Sequence, residues 1–265
     1  LIVARSSNHK AQPILVAPTW LVHPLGGLVL NFGTGQLLEE KDRKDKTIQS
    51  LYGVWDSSRY TRTAQGLTAL HGPNVPAGST RSSLVEQSFT GAVAQTADTV
   101  DLRIFVNSTR NAVAYSTTSS TAPRGWYVDL PASGERLLNH PQLQDGQLVR
   151  FETQIPPTSP EDGLCASSIR SEQGNVVVLN GISGNPARQA VFFTPDSTLD
   201  LSSASRVAFG SGDLVQIESG GQQMLLSTQA GSVGKGGTGP LGYGGSLPLA
   251  RQKATPLSVD WRILP

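Results

Sequence analysis

The chain has 265 residues, with 21 Lys+Arg against 20 Asp+Glu and a formal net charge of +1. That balance leaves no electrostatic footprint for nucleic acid or for an anionic membrane surface. No run of about 18 apolar residues is present, which excludes a membrane-spanning helix within these residues. The single cysteine, Cys165, cannot close a disulfide within the chain.

A hydrophobic content of 37% with 28 Gly and 17 Pro points to many short strands and many turns. The length suits one large all-β unit or two modest domains. A charged fraction of 15% is low for a cytosolic enzyme and common in secreted β proteins. The sequence begins Leu1-Ile2-Val3-Ala4, without a methionine or a signal peptide, and reads as a piece of something longer.

In chain order, Leu1–Ala4 and Ile14–Ala17 are apolar runs of strand length. Pro13 and Pro18 bracket the second, which suits an edge or terminal strand. Leu28–Phe32 is a strand between Gly26-Gly27 and Gly33-Thr34-Gly35. The run Glu39–Lys46 mixes both signs and reads as a solvated loop, with a short helix as the alternative. Ser50–Asp56 is an aromatic-bearing strand. Gln12–Asp56 thus reads strand, turn, strand, loop, strand, roughly the 40–45 residues of one propeller blade. Ser57–Ser83 reads as a long connection holding one short strand, and Val100–Val106 as a strand. Ser116–Thr121 is a Ser/Thr-rich loop.

The stretch around which the rest is organised is Gly125–Arg136. Trp126, Val128 and Leu130 alternate with Tyr127 and Asp129, giving one apolar face and one that can meet water. Pro131 ends the pairing for lack of an N–H, and Gly134 lets the chain reverse before Glu135 and Arg136. Arg136–Leu138 and Leu148–Ile155 follow as strands, the latter half-buried by its alternation. Val176–Leu179 is a continuous apolar run of the kind buried on both faces. Ala190–Phe193, Leu214–Ile217 and Val259–Ile263 are further strands, and Gly231–Gly245 is a glycine-rich irregular loop. No helix periodicity and no sharp internal repeat are visible.

A reaction centre is equally hard to find. His9, His23, His71 and His140 lack metal-ligand spacing and read as surface or turn residues. Gly33-Thr34-Gly35 is followed by Leu38 where a dinucleotide fingerprint needs its third glycine, and Gly234–Gly239 lacks the spacing of a phosphate loop. No Gly-x-Ser-x-Gly elbow occurs. Asp196, Asp200 and Asp213 lack the alternating ladder of a calcium loop and read as turn acids. Asn107-Ser108-Thr109 matches a glycosylation acceptor. Trp20, Trp55, Trp126 and Trp261 sit in strand-like surroundings and read as packing residues, with a carbohydrate platform as the minority reading.

Four stretches together resemble one family. They are Gln12-Pro13-Ile14; Phe32–Gly35 leading to Leu51-Tyr52-Gly53-Val54-Trp55-Asp56; Gly125–Leu130 with Gly134-Glu135-Arg136; and Phe151–Pro156. In order and rough spacing they are similar to the C-terminal domain of the PilY/PilC-type adhesins of bacterial type IV pili, and Trp261-Arg262 resembles the family's closing pair. The match is densest over Gln12–Pro156 and loose over Glu161–Ser258. The resemblance implies an all-β, irregular quinoprotein-like β-propeller, partial here for want of upstream strands. It implies a non-enzymatic role in pilus assembly, control of retraction and attachment. The implied partners are minor pilins at the pilus tip, with a host receptor or glycan beyond them. The implied location is the pilus tip on the cell surface, after export through the periplasm.

The family's calcium loop is expected upstream of residue 1, so no metal ligand, cofactor or catalytic residue is assigned in this chain. Glu39, Lys41, Asp42 and Arg43 of the mixed-charge run, and Lys235 of the glycine-rich loop, are the candidate partner contacts. Two alternatives remain. A quinone-dependent propeller dehydrogenase would need a converging cofactor and calcium cluster, which is not seen. A lectin-like domain would use Tyr52, Trp55, Trp126 or Tyr127 as its sugar platform.

Overall fold

The computed structural model describes residues 2–70, 80–96, 102–144, 146–156, 173–192, 200–209, 214–219, 222–227 and 246–249. Val259–Ile263, Gly231–Gly245, Cys165, His71, Asp196 and Asp213 lie outside them. In chain order the elements are β1 Thr19–Val22, β2 Leu28–Gly33, α1 Glu40–Lys44, β3 Ser50–Asp56, β4 Arg59–Thr63, β5 Gly66–Leu70, β6 Val85–Gln87, β7 Phe89–Thr96 and β8 Leu102–Ser108. Then come β9 Gly125–Asp129, β10 Arg136–Leu137, β11 Gln142–Leu143, β12 Leu148–Ile155, β13 Gln173–Asn180, β14 Ala204–Phe209, β15 Leu214–Ser219, β16 Gln222–Ser227 and β17 Ser246–Leu249. Helix is confined to α1 and one 3-10 turn at Arg81–Ser83 among the described residues.

Two sheets carry the described core. The first runs β1-β2-β3-β9-β6, antiparallel except that β6 pairs parallel with β9. The second runs β10-β12-β13-β14-β8-β7, with β11 also on β12. β15–β17 form a three-stranded sheet and β4–β5 a hairpin. The sheets are stacked. Leu21, Val29, Leu51, Trp55, Trp126 and Val128 of the first pack against Val149, Phe151, Val177 and Leu179 of the second. A further cluster built around Phe105, Val176, Val178, Phe192 and Val207 lines the other side of the second sheet. Phe32, Tyr52, Val54 and Tyr127 line the outer side of the first, under Ala4 and Leu84. Both central strands are therefore apolar on two faces, as the unbroken run Val176–Leu179 requires.

Trp126 sits where the two sheets meet. Its cross-strand neighbour on β3 is Gly53, and a side chain there would occupy the place of the indole nitrogen. Gly184 lies against the indole ring in the same way. The indole N–H donates to the Gly181 carbonyl at 3.0 Å, and the ring meets Phe151 edge-on at 6.4 Å. Trp55, also fully buried, donates from Nε1 to the Gly26 carbonyl at 2.8 Å.

Several elements differ from the sequence reading. Ile14–Ala17 is not a strand: Ile14 makes one parallel bridge to Gly35, and Ile14 and Leu15 stay about half exposed. The first strand begins beyond Pro18, because prolines on either side of the run deny a ladder its N–H groups. Ile2–Ala4 likewise forms no strand. The mixed-charge run is the short helix α1 rather than a loop. Ser57–Ser83 holds the hairpin β4–β5, and the strand expected at Val100–Val106 extends to Ser108, with residues 100 and 101 outside the described ones. Of the strand expected at Ala190–Phe193, residues 190–192 form none beyond a single bridge at Phe192, and Phe193 lies outside the described residues. The outward face of β9 is buried at Tyr127, and β12 buries Arg150 as well as its apolar side. β7 is missed in sequence because its Gly91, at φ 58°, sits in a bulge between Thr90 and Ala92 that breaks the alternation.

The packing separates two tryptophans by position. Trp126→Ala should cost about 3–5 kcal/mol, and Trp20→Ala, 57% exposed on β1, less than about 0.5 kcal/mol. Urea unfolding followed by circular dichroism checks both.

Candidate functional site

The motif residues converge on two buried polar networks. In the first, the Tyr52 hydroxyl donates to Gln12 Oε1 at 2.6 Å. Gln12 Nε2 donates to the Ile48 carbonyl and to Ser50 Oγ. Ser50 Oγ donates to Asp129 Oδ1 at 2.6 Å, and Arg81 Nη2 reaches Asp129 Oδ2 at 2.8 Å. The Arg81 guanidinium lies 3.9 Å over the Tyr127 ring. Burial pushes the Tyr52 hydroxyl up to about 12, so it stays a donor throughout the neutral range. Gln12, Tyr52 and Asp129 come from three different motifs, and each hydrogen-bonds to another member of the network.

In the second network, fully buried Glu135 accepts from Thr153 Oγ1 and from Arg206 Nη2 at 3.0 Å. Its neighbour Arg136 turns the opposite way. Nη1 donates to the carbonyls of Gln36 and Asp42, Nη2 to that of Asp45, and Nε to that of Gly134. One guanidinium thus satisfies carbonyls at the C-terminal end of α1, where backbone acceptors lack intrahelical partners. Gly134, at φ 78°, makes the turn that presents it.

The surface segment that Arg136 holds contains the candidate contacts. Glu39 and Lys41 are exposed and paired at 2.6 Å, and Arg43 pairs with Glu40 at 3.5 Å. Asp42 is different: it is buried and faces inward. Its carboxylate accepts from Gln36 Nε2 and from the backbone N–H groups of Leu38 and Glu39. These bonds, led by that from Gln36, hold its carboxyl down at about 2. Asp42 therefore shapes the segment, while Glu39 and Lys41 face solvent, Arg43 is half-buried, and Leu38 is 69% exposed. Lys235 lies outside the described residues.

Sequence reasoning missed Leu38, and also the exposed pair Trp20 and Val22 on the edge strand β1. Apolar residues carry no signal of exposure until their neighbours are placed. Tyr52, Trp55, Trp126 and Tyr127 are buried, so they cannot form the sugar platform considered for them. His9 and His140 are exposed; His23 is a turn residue, between β1 and β2, but is buried there. Asp200 caps a turn by accepting from the Ser202 N–H. Among the described residues no cluster of three or more His, Cys, Asp or Glu could hold a metal ion. Asn107 pairs with Ala204 and Thr90 within the sheet, and Thr109 bonds to Gln87, so the acceptor motif is built into the fold.

Stacked antiparallel sheets whose motif side chains tie the strands together define an all-β, propeller-like scaffold. Among the described residues the sheets do not close into a ring. Over 232 residues the chain is 30% identical to the type IV pilus biogenesis factor PilY1 homolog of Xylella fastidiosa, a match covering 86% of this chain and 13% of that protein. Its fold is similar to the Pseudomonas aeruginosa PilY1 C-terminal domain, with a TM-score of 0.67 and 22% identity. That match covers 94% of this chain and 47% of the solved one. No family model matches the chain. The resemblance to the C-terminal domain of PilY/PilC-type proteins thus holds in sequence and in fold.

The Asp42 carboxyl gives the α1 segment a pH profile. Folding lowers its pKa, so its stabilisation is complete above the ordinary carboxylate value of about 3.9 and falls away as the pH drops towards 2. After correction for intrinsic rates, protection of the Leu38 and Glu39 amides should hold at pH 4 and fall below pH 3, and Asp42→Ala should remove most of it at either pH.

Proposed function

We propose that this domain is a non-enzymatic scaffold module of a type IV pilus biogenesis factor. It acts in pilus assembly, in opposing retraction and in attachment to surfaces or host cells. The reading places it at the pilus tip on the bacterial surface, reached through the periplasm. Its partners are minor pilins, with a host receptor or glycan as a further ligand. In this reading the domain itself uses no cofactor.

The observation that carries the proposal is the 30% identity over 86% of the chain to a PilY1 homolog, joined to the PilY1 C-terminal fold. The internal chemistry supports it. The polar motif residues bond mainly to one another and to the backbone, which suits a rigid support. The segment around α1 is the contact surface it presents. Arg136 and Asp42 fix the backbone from beneath, so little ordering is left to occur on binding. An exposed leucine among charged neighbours has the make-up of an apolar anchor inside a polar rim.

A capture assay with purified minor pilins tests this. The triple variant Glu39→Lys, Lys41→Glu, Arg43→Glu should weaken capture by about tenfold, some 1.4 kcal/mol, with an unchanged circular dichroism spectrum. Undiminished capture would remove α1 from the interface, and failure of the parent chain to capture any minor pilin would remove the partner assignment.

A further inference from the structure

We propose that His23 is an acid-sensitive latch: when its imidazole takes up a second proton, the turn between β1 and β2 is released from the junction of the two large sheets. The geometry is a cluster of three rings. His23 lies 4.6 Å from the Trp55 ring and 4.4 Å from the Tyr115 ring. Trp55 is anchored to the same turn through its bond to the Gly26 carbonyl. The Tyr115 hydroxyl donates to the Ile182 carbonyl, beside the Gly181 carbonyl that receives Trp126. The cluster therefore ties the β1–β2 turn to the first sheet, to the segment before β9 and to the turn after β13.

The protonation state follows from the hydrogen bonds. Nδ1 of His23 accepts the Leu25 N–H at 3.1 Å, so the neutral ring carries its proton on Nε2. A second proton must go to Nδ1. There it would meet the Leu25 N–H, donor against donor, and one of the two must move. The bonds from His23 N to the Gly27 carbonyl and from Gly26 N to the His23 carbonyl belong to the same turn and would be disturbed with it.

The surroundings do not rescue the cation. His23 is 4% exposed, and burial holds its pKa below the ordinary histidine value. Tyr115 is neutral throughout the acid range, since burial raises its hydroxyl. On the β3 side the charged groups are Arg124, of the same sign and 5.8 Å from the Trp55 ring, and Asp56, which accepts from the Ser58 N–H. β1 and β2 carry no charged residue. None of the ion pairs among the described residues includes His23. The Trp55 and Tyr115 rings, tilted by 33° and 66° to the imidazole, carry no formal charge to offset the second proton.

A buried neutral histidine makes the open turn the better proton acceptor. Below the ordinary value of about 6.5, opening should rise by up to about tenfold per pH unit until the folded pKa is reached. The released turn carries Leu25 and adjoins Trp20 and Val22, so acid would loosen the exposed apolar edge of the first sheet. This inference is independent of the pilus assignment.

Two measurements on the 265-residue chain test it: carbon-13 NMR titration of labelled histidines, and amide exchange at Leu25, Gly26 and Gly27 between pH 7.5 and 5, corrected for intrinsic rates. The expected result is a His23 ring titrating below about 6.5, with opening at those amides rising as the pH falls. His23→Gln, whose Oε1 can still accept the Leu25 N–H, should remove the rise. A His23 pKa at or above 6.5, a flat exchange profile in the parent chain, or a rise that persists in the variant would each overturn the proposal; the titration of the parent chain decides even where the variant does not fold.

Discussion

Trp126 takes the space that two glycines leave open, and the joining of the two large sheets depends on it. Gly53 on β3 and Gly184 beyond β13 have no side chain because the indole stands where one would be. Gly181 supplies the carbonyl that receives the indole N–H, and Phe151 closes the ring's edge. Burial of a ring this size is worth several kcal/mol, a large part of the net stability of a whole domain. A smaller residue at 126 would leave a cavity between the sheets, and a larger one at 53 or 184 would force them apart.

The polar motif residues do the same work by other means. Gln12, Ser50, Tyr52 and Asp129 are linked so that a segment ahead of β1 is fastened to β3 and β9. Glu135 fastens the turn before β10 to β12 and β14, while Arg136 carries the backbone of α1. Buried groups of this kind are costly when left unpaired, so each network favours one arrangement of its strands. The stretches that resemble the PilY/PilC-type domain are therefore fold determinants. The outward residues of α1 and of the β1 edge lie outside both networks.

Much of this was legible in the residues. The alternation of Gly125–Leu130 and the unbroken Val176–Leu179 run correspond to β9 and β13, because burial on a pleated strand leaves a regular imprint. Leu148–Ile155 and Ser50–Asp56 were equally plain. The imprint failed where tertiary contacts decide. α1 exists because Asp42 and Arg136 fasten it from either side, and Arg136 is far away in sequence. β1 follows Pro18 instead of preceding it, and β7 hides behind a bulge. At the site, the charges of Glu39, Lys41 and Arg43 were visible, but the inward turn of Asp42 and the exposure of Leu38 were not. Nor was the burial of His23, which depends on rings from β3 and from the segment before β9.

If the Trp126 junction unites the two sheets, their strands must open together. Hydrogen exchange of the backbone amides under native conditions measures this most directly. The buried amides of β3, β9, β12 and β13 should share one slow opening free energy, equal to that of global unfolding. Exchange of β3 and β9 many times faster than that of β12 and β13 would contradict the account, since it would mean that the first sheet unfolds while the second stays intact.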